Sequence, residues 1–451
     1  MLIIAHLAFA SLFLATYCGT WTQQQHHKHP AQYRTLPPLR EQAKIQQQWR
    51  DERVANVPSL LKKYGVDAWL MSQRELAEDV IWWSIKNATA FAAHRRTVVL
   101  FHTDSGSLAG QPNPLVWVDN TGAVWDDLRA VLSAYNPKQI ALNMDQDIAF
   151  GGGLHVGELR VLSEELGAHW MERVISNPML GVEYVARRVP GQIVYYRLMQ
   201  ETIWAMIEEA FSNRVVKPGI TTTEDVEWWY REKMQEQNVT TWNHPRVSVI
   251  KPESFPGWEG TQDVIHGGDL LHVDFGMTAM GMNTDTQHMA YVLRKGERTI
   301  PEGLREGLKK ANRMQDIVLE NMRAGLTGNE VLRACLEQMK VEGIDGQVFS
   351  HPIGDWGHSA GAVIGFTNLP DHVPILGDLP ILPHTYYSIE LYAYHYVPER
   401  NETLRFRIEE NAYWVEETER WEFVHGRQEQ YHVIAERKDE AEPGNFQVQS
   451  L

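Results

Sequence analysis

The second half of this chain runs through the same order of segments twice, and that constrains its fold more than any other feature. Lys217-Pro218-Gly219-Ile220-Thr221 stands between a long amphipathic stretch, residues 192–213, and a shorter helical one, residues 224–237. Arg323-Ala324-Gly325-Leu326-Thr327 stands in the same way between residues 303–322 and 330–341. Each helical pair leads into a strand-rich segment. Pro-Gly and Ala-Gly helix stops are common singly, but a repeated order is not. Residues from about 190 to 435 therefore read as two similar helix–helix–strand–strand halves. Before them, helix-like and strand-like segments alternate at 52–64, 68–73, 97–102, 114–118, 125–135, 139–143 and 154–166, the pattern of an α/β layer domain. A chain of 451 residues has room for two or three domains.

Five residues of the repeated region carry chemistry: Asp274, Asp285, His358, Glu390 and Glu409. Singly, each has a plain reading: a strand-end or turn aspartate, a loop histidine among glycines, a solvated Glu409-Glu410 pair. Glu390 is harder to dismiss, because it interrupts the apolar, strand-like run Tyr386-Tyr387-Ser388-Ile389-Glu390-Leu391. Four carboxylates and an imidazole suit hard or borderline divalent cations, whereas a thiolate site needs cysteines. Four carboxylates at one site repel each other unless cations neutralise them. Strands at 270–275 and 287–293, with a turn near Ala279-Met280-Gly281, form a hairpin expected to set Asp274 and Asp285 almost opposite each other. A second pair, 386–394 and 404–415, delivers Glu390 and Glu409.

The order Asp, ten residues, Asp, then His, Glu and Glu resembles the metal set of the pita-bread metallopeptidases, which include methionine aminopeptidase, aminopeptidase P and prolidase. The resemblance implies an α+β chain: a catalytic domain of duplicated ααββ halves, 186–438, behind a creatinase-type α/β N-terminal domain, 41–185, with a tail at 439–451. It implies two divalent metal ions, manganese first, with zinc, cobalt or iron also accepted. Asp285 and Glu409 match the bridging ligands, Asp274 a ligand of one ion, and His358 with Glu390 the ligands of the other. Glu390 also matches the carboxylate that carries a proton from the shared water to the leaving amine. The implied activity is that of an Xaa-Pro exopeptidase on a peptide substrate, as a homodimer. A small-amide hydrolase or lyase on the same scaffold is the alternative, and a binding protein is a third reading.

The chain also departs from the family. Such peptidases carry a histidine about seventeen residues before the first metal aspartate, where this chain reads Phe255-Pro256-Gly257-Trp258-Glu259-Gly260. They carry another about seven residues after the metal histidine; counted from His358, that position is Gly365. His351, Trp356 and His395 are the candidate substrate-side residues, and the segment 423–432 is a further source of donors. Thr286-Gln287-His288 stands where the family has a threonine-rich run.

At the N-terminus, residues 2–15 are apolar apart from His6 and Ser11, too short for a comfortable membrane span but suited to a signal sequence cleaved after Cys18. No Lys or Arg precedes that run, which leaves a membrane anchor as the alternative to secretion. Residues 19–40 read as a flexible leader with His26-His27-Lys28-His29. Cys335 is then the one remaining cysteine, expected to pack as a small apolar residue. Asn87, Asn238 and Asn401 head glycosylation sequons. A net charge of −16 without a basic run excludes nucleic acid and anionic membrane surfaces as partners. Trp82-Trp83 and Trp228-Trp229 are expected in cores or domain contacts.

Overall fold

The computed structural model describes residues 30–252 and 262–435. The expected signal sequence and cleavage site, leader residues 19–29, Phe255–Gly260 and the tail lie outside the described residues. The rest of the expected leader, residues 30–40, is not a free tether: Tyr33 and Leu36 pack against the catalytic core, Arg34 Nε lies 2.6 Å from Glu201 Oε2, and Leu39 opens a helix. No described helix is long and apolar enough to cross a membrane.

The N-terminal layer is a five-stranded sheet. Its strands are β1 (Ala68–Arg74), β2 (Arg96–His102), β3 (Leu115–Val118), β4 (Ile140–Leu142) and β5 (Val174–Ser176), in the order β3-β2-β1-β4-β5. Alternation along β1 decides which helix each side chain meets. Ala68 and Leu70 pack with Leu128, Leu132 and Leu162 from helices Ala123–Tyr135 and Val156–Met171. Trp69 and Met71 pack with Leu61 and Leu180 on the other face. Residues 52–64 do not form one helix as expected. Helix Leu39–Ala55 ends at Asn56, and a separate helix, Val57–Lys63, begins with Pro58 in its first turn. Proline has no N–H to give the preceding turn, so it starts a helix more readily than it continues one.

The repeated halves are present. Helices Gln192–Ala210 and Thr223–Glu236 lead the first, Glu302–Asn321 and Gly328–Glu342 the second. Both second helices open on the same device: Thr222 with Asp225, and Thr327 with Glu330, each form a reciprocal capping box. The first half then gives β6 (Arg246–Val249), β7 (Leu270–Phe275), the short pair β8 (Thr278–Ala279) and β9 (Met282–Asn283), and β10 (Thr286–Val292). The second gives β11 (Gly346–Val348), β12 (His351–Ile353), β13 (Tyr386–Val397) and β14 (Glu402–Val415), followed by β15 (Arg420–Phe423) and β16 (His432–Ile434). The strands of both halves join in a nine-stranded sheet, β11-β13-β14-β10-β7-β6, with β12 on β13, β15 on β14 and β16 on β10. The contact between halves is β10 with β14, where Gln287 pairs with Glu409.

Asp274 and Asp285 converge as the hairpin expectation has it, but they are offset by two positions and are not direct partners. Met280 and Gly281, both with positive φ, form a two-residue turn that sets Ala279 opposite Met282. Counted outward, that register sets Asp274 opposite Gln287. Two of the four tryptophans expected inside are exposed, Trp83 and Trp228. Cys335 is buried, and burial pushes its thiol up to about 12. Asn87, Asn238 and Asn401 are all exposed.

Candidate metal centre

One row of side chains crosses five strands. Arg246 on β6 pairs with Asp274 on β7, Asp274 with Gln287 on β10, Gln287 with Glu409 on β14, and Glu409 with Glu390 on β13. Partners in register stand on the same face, so the fold brings three of the five sequence-derived candidates together without any loop. Asp285 joins from the residue before β10. Its backbone N–H donates to the Asn411 carbonyl oxygen at 3.1 Å, and the Asn411 amide donates back to the Asp285 carbonyl at 2.9 Å. Asn411 is held in turn by the Tyr196 hydroxyl at 2.8 Å.

The imidazole at the centre of these carboxylates is His351. It lies on β12 opposite Ser388 and is 6% exposed. Its Nε2 is 3.8 Å from Asp285 Oδ2, 3.8 Å from Glu390 Oε2 and 3.6 Å from Glu409 Oε1. His358 is an exposed loop residue whose ring meets that of His351 edge-on at 4.7 Å. Three groups have the spacing of metal ligands: Asp274, Asp285 and Glu409; His351, Glu390 and Glu409; and Asp285, His351 and His358. The first two share Glu409, and Asp285 spans the first and third. His358 therefore lies beside the cluster through Asp285, while His351 sits inside it.

The residues fit a bound cation on two counts. Asp285 Oδ1 and His351 Nε2 are buried with no hydrogen-bond partner among the described residues, an unusual state for polar atoms in a protein interior. The carboxylates are also strained electrostatically. Burial, with Glu409 next, raises Asp274 to about 7; the same two causes, reinforced by Asp274, push Asp285 and Glu390 well above the carboxylate range. Cations relieve that repulsion, and a metal-ligand distance near 2 Å is compatible with ligand atoms at these separations.

Gln287, which the sequence marked only as a departure from the family's threonine run, stands within the carboxylate cluster. Its amide donates to Glu390 Oε1 at 2.5 Å and to Glu409 Oε2 at 2.7 Å. Its own carbonyl oxygen lies 2.7 Å from His272 Nε2, which fixes the amide's orientation. Burial holds His272 down at about 3, so it is neutral and donates from that nitrogen. Ser388 donates to Glu409 Oε1 on the other side. The signal was in the sequence: Gln287 breaks the expected threonine run two residues after Asp285, on the same face.

Two substrate-side candidates are not brought to the cluster. His395 is an odd number of positions from Glu390 on β13, hence on the opposite face, with its ring 6.1 Å from Phe406. Trp356 packs against Phe150 of the N-terminal domain, ring centres 6.2 Å apart. Among the described residues an aromatic side chain that does reach the site is Trp242, whose ring meets His358 edge-on at 5.2 Å and whose indole N–H donates to the Thr284 carbonyl at 2.9 Å. Gly276 and Gly357 make room for it, since a Cβ at either would come within 2.2 Å of its atoms. In segment 423–432, His432 binds His288 Nδ1 at 3.0 Å, and His288 Nε2 binds Glu410 Oε1 at 2.7 Å. These residues occupy the reverse face of the sheet.

Residues 196–416 match the model of metallopeptidase family M24. The chain belongs to that family. A comparison with curated proteins gave no match. Among solved structures, an X-Pro aminopeptidase from Thermotoga maritima matches with TM-score 0.59 and 17% identity, over 82% of this chain and 98% of that one. An Xaa-Pro dipeptidase from Bacillus anthracis gives 0.59 and 17%, over 85% and 99%. A prolidase from Pyrococcus horikoshii gives 0.56 and 12%, over 84% and 99%. At such identities the likeness is one of fold: this M24 chain has the pita-bread fold behind an N-terminal α/β domain.

Proposed function

We propose that this M24 chain is a dinuclear-metal hydrolase that removes residues from Xaa-Pro ends of peptides. The observation that carries the reading is the pair of ligand groups sharing Glu409, built on one sheet row and closed by His351. In this assignment Asp274, Asp285 and Glu409 would hold one divalent ion, and His351, Glu390 and Glu409 the other. His351 replaces His358 as the histidine ligand. His358 then falls seven residues after the metal histidine, the position at which the family resemblance expects a substrate-side histidine. Two divalent ions would supply an acidified water and a polarised scissile carbonyl.

The chain's own groups do the rest. Gln287 ties down one oxygen of Glu390 and leaves the other facing His351. Held in this way beside the shared water, the Glu390 carboxylate is placed to carry a proton to the leaving nitrogen. His358 keeps an open side to solvent, but partial desolvation by the surrounding loops, and next the neighbouring His351, lowers it to about 4, so it is neutral at working pH and offers an N–H to the peptide carbonyl there. Trp242 walls that side and limits water. The Xaa-Pro preference is supported by the activities named for the three similar structures. Secretion and a homodimer belong to the same proposal; three exposed sequons support the former.

The experiment pairs peptides that differ only in carrying Xaa-Pro or Xaa-Ala at the N-terminus, with metal-loaded protein. Release of the first residue from the Xaa-Pro peptide alone is expected. Glu390→Gln with metals still bound should lower turnover about a thousandfold; unchanged turnover would remove Glu390 from the mechanism. Cleavage of neither peptide would turn the reading to a small-amide hydrolase or lyase.

A further inference from the structure

Behind the loops that carry the metal ligands, a cleft of about 390 Å³ separates the N-terminal helix Leu39–Ala55 from the catalytic domain. Its charged lining is unbalanced: among the described residues Arg50, Arg53 and Lys86 face it, with Asp355 as the one carboxylate. Asp355 is already shared. Arg53 Nη1 lies 2.6 Å from its Oδ2 and Arg188 Nη1 lies 2.5 Å from its Oδ1, and all three side chains are less than a tenth exposed. Two buried guanidiniums on one carboxylate leave a positive charge without compensation, which is costly away from water. Lys86 adds to it: its ammonium donates to the Ala90 carbonyl at 2.6 Å, and no carboxylate pairs with it among the described residues. Arg50 reaches Asp51, but that side chain points to solvent, 56% exposed.

The uncharged lining is aromatic. Trp49, Trp83 and Trp356 wall the cleft, and Trp83 is exposed although its ring is large and apolar. A concave site with flat apolar walls and an excess of cations in its lining suits an anion with an apolar body. We propose that this cleft binds a small carboxylate with an apolar body, its carboxylate between Lys86 and Arg50 and its body against the indoles. Guanidinium and ammonium groups bind carboxylates through charge-assisted hydrogen bonds, and the bound anion would balance the excess charge of the Arg53–Asp355–Arg188 group. Met280 and Gly281, at the turn between the two metal-site aspartates, form part of the same wall. The site is thus distinct from the metal centre but shares its supporting loops, and it does not depend on the Xaa-Pro reading.

Isothermal calorimetry with the metal-loaded protein tests this, using N-acetylphenylalanine as probe and its neutral amide as control. The acid should bind saturably, with the amide about tenfold weaker or more. Arg50→Met with Lys86→Met should weaken the acid about tenfold while melting temperature and metal content stay those of the wild type. Lys86→Met alone serves if the double variant does not fold. No saturable binding, equal binding of acid and amide, or undiminished binding by the variants would overturn the proposal; the last would place the carboxylate on the metal ions.

Discussion

At the scale of single residues, the carboxylate cluster makes the metal-free protein sensitive to pH in a definite direction. Burial and the neighbouring Glu409 hold Asp274 near 7 and raise Asp285 and Glu390 further, whereas an unfolded aspartate titrates near 4. Between the unfolded and folded values the folded chain binds protons that the unfolded chain releases, so these groups favour folding at acid pH; the Asp274 contribution is lost as pH rises through about 7, and those of Asp285 and Glu390 also fall as pH rises. Buried His272 and His288, both lowered to about 3, pull the other way below about pH 6.5, so the effect must be read as a difference between variants. Metal-free Asp285→Asn should melt several degrees above the wild type at about pH 8, with the gap closing toward about pH 5. Loaded with metal, the order should reverse. A metal-free variant less stable than the wild type at the alkaline end would contradict the cluster's electrostatics. That the four carboxylates come together was legible from spacing and context. That His351 lies among them was not, because His358 sits among glycines and looks like a ligand loop, while His351 precedes a proline on a short strand. What separates them is strand geometry: His351 shares a face with Glu390 through its pairing with Ser388.

At the scale of elements, the loop between His351 and His358 is pinned from both sides. The Asn283 amide donates to the carbonyls of Gly354 and Asp355 at 3.1 and 2.9 Å, two residues from Asp285. On the other side Asp355 receives Arg53 and Arg188. Burial alone would raise its carboxyl; the Arg188 and Arg53 guanidiniums overcome this and hold it at about 2. Removing one partner of a buried pair costs more than the pair contributes, because the charges left behind remain buried. Asp355→Asn should therefore destabilise the protein by about 3 kcal/mol in denaturant unfolding, and His358 should lose its fixed position relative to His351. A loss within a few tenths of a kcal/mol would mean that the arginines find other partners. None of this was readable in advance, since Arg53 and Asp355 lie some three hundred residues apart in the chain. The turn at Met280-Gly281 was different: its position was seen, but the register it dictates was not counted outward to Gln287.

At the scale of the whole molecule, the repeated order in the sequence is the architecture. Two helix pairs with matching capping boxes feed two sets of strands into one sheet, and the metal-site row crosses the seam where β10 meets β14. Each half alone supplies only part of the cluster: Asp274, Asp285 and Gln287 from the first, His351, Glu390 and Glu409 from the second. The N-terminal domain then closes over the back of the site through Arg53, Trp356 and Phe150. Duplication was legible because helix stops and strand-like runs are local signals; the domain contact was not, because it is made by side chains far apart in sequence. The central claim is that His351, with the four carboxylates, holds the ions, while His358 faces the substrate. Metal content per chain after dialysis tests it directly. The wild type and His358→Ala should each retain about two ions, and His351→Ala markedly fewer. Full retention by His351→Ala with loss from His358→Ala would contradict the assignment.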